Sequence, residues 1–508
     1  MGSGQTPSPE NGEREAPAAP ASQAVIETTP RQRWIALAIL LAATFMNLID
    51  VTIVNVALPT MQEAFSASTS EIGWVVAVYV LALAMGLMPF GRMGDIVGRR
   101  NMFVLGVAVF TIASAMCGFS GSMTMLIVSR IVQGLGAAMM TPQTIAITQV
   151  IFPPRERAAA FSLFGLATGL AAVTGPVLGG TLIGLDIWGL DWRPIFLVNL
   201  PVGAIAIAAA LWFIPSRKSG GELRNDFVGI LLGVSTVLAI IFPLVEGREL
   251  GWPAWTFAMM AGAVPLLAAF LYWERRRERL GLSQMLPWSL ITDRNFLVGV
   301  SCAVLLSSGI PGFFMSFALY LQAGHGLTPL ESGITTLPFS FGVMFSSQVA
   351  RKLGMRWMRK RIALGGLSIA IAMFWLQLMV SGTMDHPDRI GFIAPLFLGG
   401  VGLGVTFASL FPTVLSSVQS RDAGSGSGAL QSFQQLGGAF GVAVIGQLFF
   451  ARLATELSAG TALPQAYSHA VLQAFKYNIA AFAAVAVLVF FLPRPSPVPS
   501  HGHAGTAH

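Results

Sequence analysis

Long apolar runs broken by short polar stretches fill this chain. They fall at roughly 34–58, 72–90, 102–120, 124–147, 159–183, 194–214, 227–245, 254–273, 296–322, 332–350, 362–380, 391–413, 425–450 and 473–492. Each is near the ~20 residues that a helix needs to cross ~30 Å of hydrocarbon. Strands with unpaired edges cannot sit in lipid, so every run is predicted to be a helix. The pattern therefore predicts an all-α integral membrane protein with fourteen transmembrane helices.

The polar breaks organise these helices. PSRKSGGELRND (215–226) and ERRRERLGLSQMLPWSLITDRN (274–295) flank runs seven and eight. They divide the chain into an N-terminal six-helix bundle at 34–215, two extra helices with their linkers at 216–294, and a C-terminal six-helix bundle at 295–493. The segments 1–33 and 494–508 hold few large apolar residues and read as disordered tails. The first lacks the basic and short apolar regions of a cleavable signal. His501, His503 and His508 read as part of a solvated tail rather than a metal site. The loop 451–472 is predicted to carry a small helix on the outer surface.

Composition supports the membrane reading. Of 508 residues, 54% are hydrophobic and 10% charged, with mean hydropathy +0.70. Soluble domains carry about 25% charged residues. The net charge of +7 points to topology, not to nucleic acid. With the N-terminus in the cytoplasm, inside loops hold twenty-three Lys or Arg and outside loops four. That bias predicts both termini cytoplasmic in the cell (inner) membrane. The clusters at 275–279 and 351–361 also suit anionic headgroups. Cys117 and Cys302 lie inside apolar runs and read as packing residues, with no disulfide or metal site.

Two charges lie deep in apolar runs: Asp50 in LIDVTIVNVALP and Arg130 in RIVQGLGAA. A charge at membrane depth is costly and should face a bundle interior or a watery cavity. At 1.5 Å per residue, Asp50 lies ~13 Å and Arg130 ~9 Å below the outer face, so the two could share a cavity. Gln133 is one turn from Arg130 on the same helix face. A static buried ion pair is the competing reading. The loop GRMGDIVGRR brings together Gly91, Gly94, Asp95, Gly98, Arg99 and Arg100, residues suited to a tight turn and a helix-end contact. GLAAVTGPVLGG supplies Gly175, Pro176, Gly179 and Gly180, which kink a helix and permit close packing.

These motifs resemble the major facilitator superfamily, and more narrowly its 14-spanning drug:proton antiporter family. IDVTIVNVALP, GRMGDIVGRR, RIVQGLGAA, GPVLGG, DWRPIFLVNLPVG and LQAGHGLTPLESGITTLP carry the resemblance, over about residues 34–492. It implies two bundles around a central cavity, with alternating access by rocking. It also implies that Asp95 latches the cytoplasmic side against the start of run thirteen, near Gly424–Gly428. Asp50 and Arg130 would couple to protons, and GPVLGG would mark an exporter; its Gly/Pro surface could seal or rock as an interface between the bundles. The C-terminal half departs from the family in holding no intramembrane Asp or Glu.

The implied function is proton-coupled export of small amphiphilic drugs or toxic compounds, driven by the proton gradient without a cofactor. A periplasmic adaptor and an outer-membrane channel are conceivable partners, besides lipid. The chain's 22 Met, 35 Phe and 11 Trp suit greasy substrates. Candidate cavity residues are Asn55, Trp74, Tyr79, Gln133, Gln143, Phe313, Phe314, Tyr320, Gln322, Gln431 and Gln434. The alternatives are an exporter of one native metabolite, a membrane enzyme or a channel. No HExxH, GxSxG or P-loop motif appears, which argues against an enzyme or an ATP-driven pump.

Overall fold

The computed structural model describes residue 2 and residues 29–216, 226–247, 250–353, 357–384 and 386–492. Among these residues there is no strand. Apart from residue 2 and residues 29–33, the expected tails lie outside them, as does most of the first linker. The long helices are α1 (Pro30–Phe65), α2 (Thr69–Val97), α3 (Arg99–Gly118), α4 (Met123–Ile151), α5 (Pro154–Gly184), α6 (Pro194–Phe213), α7 (Phe227–Glu246), α8 (Ala254–Arg279), α9 (Arg294–Leu319), α10 (Pro329–Leu353), α11 (Met358–Gly382), α12 (Ile393–Leu415), α13 (Ala423–Ser458) and α14 (Leu463–Leu488). Among the described residues thirteen are long and apolar enough to cross a membrane, and the 25-residue α10 is a further long helix.

Local chemistry sets the helix starts. Thr29 and Ser68 form capping boxes with Gln32 and Glu71, and Asp226 and Asp293 cap α7 and α9. Gly98 joins α2 to α3 in a single residue at φ 103°, a backbone state that glycine adopts without strain. Several helices outrun their apolar cores. The small outer helix expected within 451–472 does not form. Instead α13 continues to Ser458 and α14 begins at Leu463. The Glu456 carboxylate holds this extension together by accepting from Arg452 at 2.6 Å and meeting His469 at 3.0 Å.

Two bundles result. In the first, α4 packs between α2 and α3, while α1 packs on α5 and α6. In the second, α9 packs on α13 and α14, and α12 on α10 and α11. They meet along α2–α13 and α5–α10, with further contacts of α4 to α13 and α5 to α12. The extra pair packs on itself, and α7 lies over the α2–α13 seam, touching both bundles. Leu81 and Ala84 of α2 meet Val237 and Ile241 of α7, and Trp74 lies 5.9 Å from Phe242. This pair is peripheral, but α7 is fastened across the seam rather than to one bundle.

Helices approach closely where glycines recur four apart, as is common between membrane helices. Gly437 and Gly441 of α13 lie against the backbone of Val304 and Ser308 in α9. A side chain at Gly441 would run into the Ser308 carbonyl. Gly441→Leu is therefore expected to cost about 1–3 kcal/mol through overpacking. Thermal unfolding in detergent checks this, and an unchanged transition temperature would contradict the close contact.

Candidate functional site

Asp50 and Arg130 form an ion pair at 2.5 Å, with side chains 0% and 1% exposed. Five helices build the surrounding network. Gln133 of α4 donates to Asp50 at 2.7 Å, and Asn199 of α6 donates to it at 3.3 Å. Ser114 of α3 accepts from Gln133 at 3.2 Å and from Asn199 at 3.0 Å, and its hydroxyl donates to the Phe196 carbonyl. Arg130 also donates to Gln133 Oε1 at 2.8 Å and to the Val75 carbonyl of α2 at 3.1 Å. Its guanidinium lies 4.2 Å over the Tyr79 ring, a cation–π geometry. The Tyr79 hydroxyl donates to Asn47 Oδ1. A buried pair of this kind survives only when its remaining donors and acceptors are satisfied, and here they largely are.

Asn47 connects this network to a cavity of about 430 Å³ between the bundles. Seven helices line it: α1, α2, α4 and α5 from one bundle, and α9, α12 and α13 from the other, α13 contributing a glutamine face. Among the described residues that line it, none is charged. Phe161 of α5 stacks on Phe411 of α12 at 6.0 Å, so an aromatic contact crosses the interface.

One end of the cavity is closed. The start of α1 and the start of α5 share this end, where Arg33 pairs with Glu156 at 2.7 Å. Here Asp95 Oδ1 accepts from the Gly424 N–H at 2.9 Å, and Oδ2 from the Ser425 N–H at 2.8 Å and its hydroxyl at 3.1 Å. Arg99 pairs with Asp95 at 2.9 Å and donates to the Ser420 carbonyl. Arg92 pairs with Asp422 at 2.9 Å. A carboxylate at a helix N-terminus meets free N–H groups and the positive end of the dipole. Gly91 lies against Gly424 and Gly428, where a side chain would strike backbone. Gly94 lies against Gln143, whose amide donates to the Phe90 carbonyl at 2.9 Å. Gln149 reaches the Leu415 carbonyl at 3.1 Å, and Ser427 the Pro142 carbonyl at 2.9 Å. Arg100 makes no hydrogen bond to a described residue.

The structure distributes the sequence candidates unevenly. Gln431 and Gln434 line the cavity. Tyr79 and Gln133 belong to the ion-pair network, and Gln143 to the closed end. Trp74 faces α7. Asn55 is exposed and bonds back to the Val51 carbonyl. Phe313, Phe314 and Tyr320 pack within the second bundle, and Gln322 sits in the irregular turn Tyr320–Gly324 that follows α9. Residue type within a run does not reveal which helix face points inward, and that face separates these outcomes. Gly175 and Gly179 lie against Thr52 and Ile53 of α1, so GPVLGG packs within its own bundle rather than between bundles. Pro176 sits inside α5, and nothing packs within 4 Å of a side chain built at Gly180. Sequence reasoning did not single out Asn47, Ser114 or Asn199. Asn199 had a signal, as the asparagine of the DWRPIFLVNLPVG motif, between Pro194 and Pro201.

A hydrogen bond to a charged group contributes about 1.5–3 kcal/mol. Asn199→Ala is therefore expected to slow transport at least several-fold while leaving substrate binding unchanged. Initial-rate and equilibrium-binding measurements on one preparation check this, and a wild-type rate would remove Asn199 from the working network.

Among the described residues, twelve helices in two bundles with an extra pair beside them, a charge pair next to a central cavity and a latched end define a membrane transporter of the alternating-access kind. The Major Facilitator Superfamily profile matches residues 40–242 and 219–442, and the chain belongs to that family. It is 37% identical over 429 residues to the probable actinorhodin transporter of Streptomyces coelicolor, covering 84% of this chain and 74% of the relative. It is 30% identical over 480 residues to the puromycin resistance protein pur8 of Streptomyces alboniger, covering 93% and 92%. Its fold matches that of the proton:xylose symporter XylE with TM-score 0.61, at 12% identity, over 91% of this chain and 96% of the other.

Proposed function

We propose that this chain is a proton-coupled antiporter that exports small amphiphilic compounds from the cytoplasm. The single observation that carries the coupling is the continuous path Asp50–Arg130–Tyr79–Asn47, which ends on the cavity wall. The relatives, named as antibiotic transport and resistance proteins, support export of such compounds. The basic inside loops put the latched end in the cytoplasm, so this state faces outward.

In that reading Asp50 takes a proton from the outer side. Protonation removes the charge that Arg130 neutralises, and the guanidinium turns towards Gln133, Val75 and the Tyr79 ring, which already hold it. Movement of Tyr79 passes to Asn47 and hence to the substrate side. Rocking then breaks the Asp95 latch, admits substrate from the cytoplasm and releases the proton inward. No cofactor takes part, and the gradient supplies the energy.

The test uses everted vesicles carrying the wild-type protein and a fluorescent amphiphile. Uptake should follow the imposed pH gradient and collapse with a protonophore. Uptake indifferent to the protonophore would overturn the reading.

A further inference from the structure

The central cavity distributes its polar groups unequally between the bundles. On the first bundle, Thr44, Thr141, Thr144 and Thr168 all line it, but each hydroxyl donates to a carbonyl of its own helix. That wall therefore offers methyl groups and acceptor lone pairs, with the Asn47 amide as its side-chain donor. On the second bundle, Ser307, Gln434 and Gln435 line the cavity and make no hydrogen bond to a described residue. An amide carries two donors and an acceptor, so this wall is ready to bond a ligand on both counts.

Charge and shape narrow the ligand further. None of the described lining residues is charged. The one nearby carboxylate, Asp50, is held at 2.5 Å by Arg130 and does not line the cavity. An ion entering this space would shed water with no opposite charge to replace it, which is strongly unfavourable. The side towards the latched end is aromatic. Phe407 and Phe411 stack at 5.1 Å and 20°, and Phe161 stacks on Phe411 at 27°. Near-parallel rings present a flat face to a further ring. The volume, about 430 Å³, is that of a site for one small molecule.

We infer that the cavity selects uncharged, planar, polycyclic aromatic compounds that carry carbonyl or hydroxyl groups along one edge, and that it discriminates against cations of the same shape. The oxygen-bearing edge faces Ser307, Gln434 and Gln435, the ring system lies on Phe407 and Phe411, and the opposite edge meets the threonine methyls. This rests on the exporter reading for the direction of transport, but not for binding.

The experiment compares a neutral dihydroxyanthraquinone with its trimethylammonium derivative. Binding to the full-length protein in nanodiscs is measured by equilibrium dialysis against empty nanodiscs, and transport in proteoliposomes under a pH gradient. The neutral probe should bind at least tenfold more tightly than the cation. Gln434→Leu/Gln435→Leu should weaken it at least tenfold without altering the elution profile of the protein. Gln434→Glu, which keeps the side-chain size, should shift preference towards the cation. Equal or tighter binding of the cation by the wild type, no binding of either probe, or an unaffected double variant would overturn the inference. Selective binding of the neutral probe without proton-driven transport would leave the inference standing and remove the antiport reading. Proton-driven transport of the cation alone would do the reverse.

Discussion

Asp50→Asn is expected to abolish proton-driven accumulation of substrate while substrate binding persists. Asparagine matches aspartate in size but carries no ionisable group. The substitution leaves Arg130, 1% exposed, without a counter-charge. Breaking a buried pair from one side costs about 3–5 kcal/mol, so the single variant will also be less stable. The double variant Asp50→Asn/Arg130→Met separates the two effects. Replacing both partners of a buried pair by uncharged groups is often close to neutral for stability. The double variant should therefore recover much of the thermal stability lost in the single variant and still fail to couple. Transition temperatures in detergent and gradient-driven uptake in proteoliposomes give both readouts. Wild-type uptake by the double variant would show that the pair is a structural anchor only.

Asp95→Ala is expected to open the latched end. The carboxylate accepts three hydrogen bonds from the first residues of α13 and pairs with Arg99 at 2.9 Å. Hydrogen bonds to charged groups are stronger than neutral ones, about 1.5–3 kcal/mol each. These contacts exist only while the two bundles are closed at this end, so their loss acts on the conformational equilibrium. A net loss of ~3 kcal/mol moves the ratio of outward to inward states by about 100-fold, since 1.4 kcal/mol corresponds to tenfold. The measurement is maleimide labelling of Thr144→Cys, a position 2% exposed in the latched state, applied from the side of the latched end. Labelling should accelerate strongly in Asp95→Ala and to a smaller degree in Asp95→Asn, which can still accept at a helix N-terminus. An unchanged labelling rate would mean that the remaining links, Arg92 to Asp422 and Gln149 to Leu415, hold the end shut without Asp95.

The closure also explains the small residues that open α13. AGSGSGAL gives α2 a surface that backbone can approach, and Gly91 meets Gly424 and Gly428 there. Bulk at any of these positions would separate Asp95 from the N–H groups that it accepts from. The extra helix α7 adds a second fastening on the same seam, through apolar packing rather than charge. Rocking must therefore carry α7 with one bundle or slide it over the other.

The sequence determined the helices, because each must satisfy its own backbone in lipid, so length and hydropathy suffice. It also determined that Asp50 and Arg130 lie at similar depth, because rise per residue converts position into height. Other features were settled only by tertiary structure. Apolar runs in this chain have weak facial bias, so nothing in the order of residues says which side of a helix faces lipid, a neighbour or the cavity. That is why Trp74 turned to α7, Phe313 to the interior of its own bundle and GPVLGG to α1, while Gln431 and Gln434 reached the cavity. It is also why Asn47, Ser114 and Asn199 emerged only from the fold. Each is an ordinary polar residue within its own helix, and becomes a partner of the charge pair only when five helices converge. The sequence by itself therefore showed a many-spanning membrane protein, resembling a transporter, with one carboxylate deep in an apolar run. Rotation and packing of the helices decided what that carboxylate touches.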